Sequence, residues 1–182
     1  MQSHPKPYPT PIVTVSREQK ICAAVTSRNT NPNEIPLITL RNLSKSYREG
    51  DTERTILQGI NTSIDAGQTV VLLGRSGSGK TTLLNLISGI DLPSSGDILF
   101  EDTNLTQLSA RERTLFRREH MGFIFQSFNL IDTLTVEENV LLPLELAGRS
   151  NGDGRERALD LLDEVGLRDR ADSYPDRLSG GE

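Results

Sequence analysis

Residues 69–82, TVVLLGRSGSGKTT, decide the fold because three local patterns follow one another there without a gap. The first five residues form an almost unbroken apolar run, which is typical of a strand buried on both faces of a sheet covered by helices. Residues 74–81 match the pattern G-x-x-x-x-G-K-[ST] of a phosphate-binding loop. Leu83, Leu84 and Ile87 then recur at helical spacing. The order strand, glycine loop, helix predicts an α/β phosphate-loop core.

The loop offers several kinds of phosphate contact. Its glycines allow backbone N–H groups to surround phosphate oxygens without obstruction by side chains. We expect Lys80 to reach the β- and γ-phosphates, the Thr81 hydroxyl to coordinate Mg²⁺, and Thr82 to add a hydrogen bond. A glycine- and serine-rich linker is the alternative, which the flanking strand and helix disfavour. The predicted phosphate-binding residues are Gly74, Arg75, Ser76, Gly77, Ser78, Gly79, Lys80, Thr81 and Thr82.

Composition argues against several other classes of protein. The 182 residues suffice for one packed domain, and a formal net charge of −5 offers nucleic acid no electrostatic attraction. Cys22 is the single cysteine, so neither a disulfide nor a thiolate metal site can form within the chain. No run reaches the roughly 18–20 apolar residues that span a bilayer, and the first residues lack a secretion signal. We therefore expect a cytosolic protein without a nucleic-acid partner, whose membrane role would come through another subunit.

Two regions differ in composition. Residues 1–36 hold six of the nine prolines together with serine, threonine and asparagine, a composition that buries too little apolar surface to offset ordering. This predicts a disordered N-terminal extension. Regular structure is expected over residues 37–182.

Four further segments have the pattern of strands. Residues 37–40 alternate with period two, and residues 60–64 precede a turn that leads into the phosphate-loop strand. A turn also precedes residues 97–100. Residues 121–125 form another apolar segment, which ends on a polar residue.

Helix boundaries are marked by capping patterns. Ser109 with Glu112, and Thr135 with Glu138, match the capping box at a helix N-terminus. Apolar residues lie on one face of a helix predicted over 155–165. Glycines placed to end helices in a left-handed cap are Gly89 and Gly166.

Between the capping boxes lies a group of arginines interleaved with glutamates. Such interleaving is typical of a solvated helix face rather than of a basic binding patch. The arginines concerned are Arg111, Arg113, Arg117 and Arg118.

Three features outside the phosphate loop separate the classes of phosphate-loop protein. Tyr47 ends the sequence LSKSY ahead of the loop, Gln126 follows the apolar sequence GFIF, and residues 178–182 read LSGGE. In this order the motifs resemble the ABC ATPase family over residues 37–182.

This resemblance implies roles for individual residues. Tyr47 would stack on adenine, and Gln126 would bind Mg²⁺ or the attacking water. Ser179, Gly180 and Gly181 would contact the γ-phosphate held by an opposite subunit, so that two ATP molecules are sandwiched in a head-to-tail dimer. The implied fold is a phosphate-loop NTPase core with an antiparallel β subdomain and an α-helical subdomain, incomplete at the C-terminus.

Other segments narrow the resemblance to one group. Residues 83–91, the predicted helix over 109–118, and residues 137–144 look like the lipoprotein-release and macrolide-export ATPases, with a cell-division relative close behind. The resemblance implies that ATP binding and hydrolysis drive export or extraction of a substrate by an integral-membrane permease. Such subunits are peripheral on the cytoplasmic face of the plasma membrane.

The family motifs that follow the signature sequence, an apolar strand ending in Asp and Glu, a D-loop and a switch histidine, are not found in these residues. We name Lys80 and Gln126 as catalytic candidates but no general base, and expect the 182-residue chain to bind ATP without efficient hydrolysis. A phosphate-loop kinase or GTPase is one alternative, and it would leave Tyr47, Gln126 and Ser179 unexplained. A non-hydrolysing nucleotide-binding or regulatory module is another.

Overall fold

The computed structural model describes residues 12–13, 21–26, 35–125, 129–148 and 153–181. The chain divides into two compact units, residues 1–121 and residues 122–182. Its strands are β1 (Ile12–Val13), β2 (Ile21–Thr26), β3 (Ile38–Glu49), β4 (Thr52–Ile64), β5 (Thr69–Gly74), β6 (Ser95–Phe100) and β7 (Thr103–Asn104). Its α-helices are α1 (Lys80–Ile87), α2 (Ala110–His120), α3 (Val136–Leu146) and α4 (Gly154–Glu164).

The first unit contains a four-stranded antiparallel sheet in the order β4-β3-β6-β7. Strands β3 and β4 form a long hairpin whose register runs from Ile38 opposite Ile64 to Glu49 opposite Thr52. The predicted strands at 60–64 and 97–100 fall within this sheet, and the strand predicted at 37–40 is observed from residue 38. Its buried face supplies most of the core of the unit.

Helix α1 packs its apolar face into that core. Leu86 is fully buried and Leu83 is 5% exposed, whereas Leu84 on the other side of the helix is 54% exposed. Gly89 follows the helix with φ of 65°, the left-handed conformation expected of a glycine that ends a helix. The buried residues of the cluster are Leu40, Leu43, Leu57, Ile60, Leu83, Leu86, Ile98 and Leu105.

Strand β5 belongs to a second sheet in the order β1-β2-β5. Strand β2 pairs with it antiparallel along its whole length, from Ile21 opposite Gly74 to Thr26 opposite Thr69. The structure thus differs from the predicted disorder at residues 12–13 and 21–26, because backbone hydrogen bonding to a neighbouring strand does not require an apolar composition. The other residues before 35 lie outside the described part, and their disorder stays a prediction.

The prediction that β5 is buried on both faces is wrong for the described chain. Leu72 packs against the main core, but Val71 is 47% exposed and Leu73 is 54% exposed. An apolar run indicates that both faces are suited to burial, whereas the elements that cover them are set by distant parts of the fold. One face of β5 is therefore covered and the other is open among the described residues.

Helix α2 starts at the predicted capping box, since Ser109 and Glu112 exchange both hydrogen bonds. The prediction of a solvated arginine face is only half correct. Arg113 donates to the carbonyl of Leu108, and Arg117 donates to the carbonyl of Gly89 at 2.6 Å. These two guanidinium groups connect α2 to the preceding loop and to the end of α1.

The second unit is built on α3 and α4. Thr135 and Glu138 form the second predicted capping box, and the helix predicted over 155–165 is observed one residue earlier at each end. Glu137 is only 7% exposed. Its carboxylate accepts hydrogen bonds from Nε and Nη2 of Arg155 at 2.5 and 3.1 Å. A small core of Val136, Leu162 and Ala171 completes the unit.

The strand predicted at residues 121–125 is not observed. No ladder partner is present for this segment among the described residues, and Ile124 is fully exposed. An apolar segment becomes a strand only when a neighbouring strand satisfies its backbone. The same described ranges contain no helix with both the length and the apolar composition to cross a bilayer.

Gly96 is required by a close approach of two strands. A Cβ at this position would lie 2.4 Å from the carbonyl oxygen of Asn42 and 2.5 Å from that of Arg41. Its φ of +89° is also a conformation that side chains disfavour. The contact falls where β3 shifts register against both neighbours, so Gly96 permits the irregularity on which the pairing depends.

Gly96→Ala is expected to lower the free energy of unfolding by about 3 kcal/mol, because the methyl group meets backbone atoms and the φ is strained. Gly50→Ala is the matched control, since its φ is +62° with nothing within 4 Å of a Cβ. The control should cost only about 1 kcal/mol. Urea unfolding followed by circular dichroism measures both, and equal losses would contradict the close approach at Gly96.

Candidate functional site

The phosphate loop occupies the predicted position between β5 and α1. Gly77 has φ of 73° and Gly79 has φ of 96°, so the chain turns through two left-handed residues before the helix begins. Gly79 is the N-cap of α1, and its carbonyl accepts the amide of Leu83 at 2.8 Å. Other residue types disfavour these angles, which explains why the sequence places glycines there.

Lys80 is held against the start of the loop. Its Nζ donates to the carbonyl of Gly74 at 2.8 Å and to that of Arg75 at 2.9 Å. An ammonium group has three protons, and two of them are used in these bonds. The charge therefore lies beside the loop backbone, at the N-terminal and electropositive end of α1.

Among the described residues, Ser78 has the one buried side-chain polar atom that lacks a hydrogen-bond partner. The residue is 8% exposed, and its Oγ is buried without a hydrogen-bond partner there. A buried hydroxyl that makes no hydrogen bond costs about 1–3 kcal/mol. This orphaned oxygen lies in a loop whose glycines and lysine suit an anion, so the residues present fit a bound phosphate group.

Thr81 and Thr82 fall in the first turn of α1, directly after Lys80. Thr81 is exposed and Thr82 is half-buried. Tyr47 is linked to this helix, since its hydroxyl donates to Asp91 and the Asp91 amide donates to the carbonyl of Asn85 in α1. The structure therefore brings the phosphate loop and the predicted adenine-stacking residue together within the first unit.

Tyr47 lies near the end of β3, opposite Arg54 of β4. The residue is 39% exposed. Its hydroxyl donates to Oδ2 of Asp91 at 2.9 Å, and Nζ of Lys45 lies over the ring, 4.8 Å from its centroid. Burial raises the pKa of Tyr47 and the Asp91 carboxylate raises it further, whereas the hydrogen bond with Thr82 acts in the opposite direction.

Asp91 connects Tyr47 to Lys45. The Lys45 Nζ donates to Oδ1 of Asp91 at 2.8 Å and to the carbonyl of Leu92 at 2.6 Å. Burial works to raise the pKa of Asp91, but hydrogen bonds from Lys45, Tyr47 and the Leu92 amide outweigh it and hold this pKa below its ordinary value. The carboxylate is therefore charged at neutral pH, as these bonds require.

Sequence reasoning passed over Lys45 and Asp91. Lys45 lies two residues before Tyr47, a spacing that puts both on one face of a strand and was an available signal. Asp91 is separated from Tyr47 by 44 positions, and no local pattern links them. Only the folded chain identifies it as part of the site.

The remaining predicted site residues belong to later parts of the sequence. Gln126 is outside the described residues. Ser179, Gly180 and Gly181 belong to the second unit, where they are exposed and follow the short 3-10 helix Pro175–Arg177. Their roles, and the roles of the phosphate-loop residues, stay predictions at this point.

Comparison with known proteins identifies the family. The family model described as ABC transporter matches residues 57–182. An uncharacterized ABC transporter ATP-binding protein of Mycobacterium tuberculosis is 53% identical over 150 residues, which cover 82% of this chain and 60% of that protein. The lipoprotein-releasing system ATP-binding protein LolD of Colwellia psychrerythraea is 44% identical over 140 residues, covering 77% of this chain and 54% of that protein.

Solved structures agree in fold. The dimeric structure of a post-hydrolysis state of the ATP-binding cassette MJ0796, bound to ADP and Pi, matches with a TM-score of 0.69 and 36% sequence identity. The match covers 79% of this chain and 64% of that one. The predicted fold class, the α/β phosphate-loop core of an ABC ATPase, is confirmed by this likeness.

The chain spans 60% of the length of the Mycobacterium relative and 54% of LolD. The match of the family model nevertheless covers well over half of the chain and includes the phosphate loop, the exposed LSG sequence and the segments between them. The predicted resemblance to the lipoprotein-release group is also confirmed by these relatives. The chain therefore belongs to the ABC transporter family and carries part of its nucleotide-binding domain.

Proposed function

We propose that the chain binds Mg²⁺-ATP as the ATP-binding subunit of an ABC-type system that exports or extracts a substrate, such as a lipoprotein or a macrolide. The observation that carries this proposal is the phosphate loop, in which a buried hydroxyl without a partner and a bound ammonium group lie at the N-terminus of α1. Such a loop has the donors that a polyphosphate needs.

Each part of ATP has a candidate partner. The phosphate oxygens accept hydrogen bonds from the backbone amides of the loop, the ammonium of Lys80 and the hydroxyl of Ser78. The adenine stacks on the exposed part of the Tyr47 ring, because aromatic side chains bind any base by its flat face. Thr81 ligates Mg²⁺, and Gln126 completes the metal and water site, as the family resemblance implies.

Removing single donors from the loop tests phosphate binding. Lys80→Ala should weaken Mg²⁺-ATP binding about tenfold or more, because hydrogen bonds from a charged donor contribute about 1.5–3 kcal/mol. Arg111→Ala is the control, since it removes a positive charge from an exposed position on α2. Isothermal titration calorimetry measures both, and equal affinities of the two variants would contradict the assignment of the loop.

Ser78→Ala gives a sharper test because two quantities should move in opposite directions. Without nucleotide, the substitution removes a buried unsatisfied hydroxyl and should raise or preserve the free energy of unfolding. With nucleotide, it removes a hydrogen bond and should weaken Mg²⁺-ATP binding by about two- to tenfold. A loss of stability with unchanged affinity would show that Ser78 has only a structural role.

The signature residues support a second ATPase subunit as partner. Neither Gly180 nor Gly181 has a positive φ, and a Cβ at either would meet nothing within 4 Å among the described residues. The described chain thus does not itself require glycine at these positions. Close approach of a phosphate group bound to another subunit would require it, which suits the head-to-tail dimer that the family resemblance implies.

Ser179→Glu should abolish dimer formation at saturating Mg²⁺-ATP while leaving the affinity of the monomer for nucleotide unchanged, since the added carboxylate repels the partner's γ-phosphate. Ser63→Glu, an exposed position on β4, is the control with the same change of charge. Sedimentation velocity measures the dimer. Equal dimerisation of both variants would exclude the signature from the interface.

The chain's place at a membrane follows from a permease partner, which would hold it on the cytoplasmic face.

For hydrolysis, none of the candidate residues Tyr47, Lys80, Gln126 and Ser179 has a carboxylate that could accept a proton from water. The 182-residue chain should therefore bind ATP with turnover no faster than that of Lys80→Ala. Phosphate release measures this, and sustained turnover that is lost in Lys80→Ala would overturn the expectation.

The permease proposal has its own test. Reconstitution with an integral-membrane permease partner should raise ATP turnover above that of the chain alone. Turnover that is indifferent to the permease would contradict a transport role. Binding without hydrolysis in that reconstituted complex would instead favour a regulatory nucleotide-binding module.

A further inference from the structure

We propose that Lys45 and Asp91 are positioning residues for nucleotide recognition, which orient the Tyr47 ring for stacking on the base. The inference rests on the proposed function, since it assumes that ATP binds at the phosphate loop and that Tyr47 receives the adenine. It adds two residues that touch no nucleotide themselves. Their effect is exerted through the aromatic ring, and we call them the Lys45–Asp91 pair.

Several hydrogen bonds hold the side chains of the pair in place. The Lys45 side chain is 11% exposed and that of Asp91 is 32% exposed, so their 2.8 Å ion pair is partly removed from water and less screened than a surface pair. The Lys45 ammonium also donates to the Leu92 carbonyl, and the Leu92 amide donates to Oδ1 of Asp91 at 2.7 Å. The ammonium and the carboxylate are thereby each fixed by at least two bonds.

The pair restrains the Tyr47 ring at two points. Oδ2 of Asp91, the oxygen that Lys45 leaves available, accepts the phenol hydroxyl at 2.9 Å. The Lys45 ammonium lies over one ring face, 4.8 Å from the centroid, where the ring quadrupole attracts it. An exposed tyrosine without such contacts would rotate among rotamers and lose that freedom on binding a base. The restraints remove much of this entropy cost in advance.

The position of Asp91 connects this restraint to the phosphate loop. The amides of Ile90 and Asp91 donate to the carbonyl of Asn85 at 2.9 and 3.1 Å, directly after α1. The same helix begins at Lys80 and is fixed in the core by Leu86. The same short helix thus positions the phosphate-binding loop and, through Asp91, the Tyr47 ring for the base.

Ligands with and without a base distinguish positioning from a general structural role. Asp91→Asn should raise the Kd for Mg²⁺-ATP about two- to tenfold, because the released Tyr47 side chain must be immobilised again when the base binds, and leave the Kd for Mg²⁺-tripolyphosphate unchanged. Isothermal titration calorimetry on the 182-residue chain measures both. Asp97→Asn is the matched control, because its carboxylate is bonded to Asn104 and Thr106 in the same unit, and it should leave both Kd values unchanged.

Two further variants keep the test decisive if Asp91→Asn destabilises the chain. Tyr47→Phe removes only the hydroxyl and should shift the Kd for ATP in the same direction, again without affecting tripolyphosphate. In a Tyr47→Ala background, adding Lys45→Met should cause no additional loss of ATP affinity, since no ring remains to be oriented.

The outcomes separate the inference from the function on which it rests. Equal losses of ATP and tripolyphosphate affinity in Asp91→Asn, or unchanged ATP affinity in both Asp91→Asn and Tyr47→Phe, would overturn the positioning role while leaving ATP binding intact. A wild-type chain that binds neither ligand would overturn the proposed function itself. Selective loss of ATP affinity, absent from the Tyr47→Ala background, is the result that the pair predicts.

Discussion

The packing of α1 on the antiparallel sheet is the constraint on which the candidate site depends. Leu86 is fully buried and Leu83 nearly so among residues of β3, β4 and β6. Leu72 of β5 packs against the same cluster, so the strand before the phosphate loop and the helix after it are fixed by one core. Burial of side chains of this size contributes about 1.5–3 kcal/mol each. The loop between them then has little freedom to change its shape.

The phosphate loop held by this core carries two polar groups that suit an anion. The buried hydroxyl of Ser78 has no partner in the described ranges, and Lys80 is bonded to carbonyls at the positive end of a helix. An unsatisfied buried group such as the Ser78 hydroxyl calls for a functional explanation, and it persists because the surrounding core holds it. By contrast, Lys45, Asp91 and Tyr47 satisfy one another. The two groups meet at α1, which begins at Lys80 and whose Asn85 carbonyl accepts the amide of Asp91.

Patterns confined to a few neighbouring residues predicted this structure well. Both capping boxes, the left-handed glycines after α1 and α4, and the order strand, glycine loop, helix are all observed. Predictions that depended on distant partners were less successful. Residues 121–125 have a strand-like composition but no neighbouring strand in the described ranges, whereas residues 21–26 form a strand because β5 lies beside them. Arg113 and Arg117 bind carbonyls outside their own helix, which the charge pattern does not indicate.

The sequence by itself determined the phosphate loop and its flanking elements, because these depend on residue types at short, fixed spacings that backbone geometry requires. It determined the family through the order of motifs along residues 37–182. It also placed Tyr47 ahead of the loop. Only the tertiary structure decided that Asp91 holds Tyr47, that Ser78 is buried without a partner among the described residues, and that Gly96 lies against the backbone of a neighbouring strand. Hydrogen bonds and steric contacts between residues tens of positions apart exist only once the core has formed, and no local pattern encodes them.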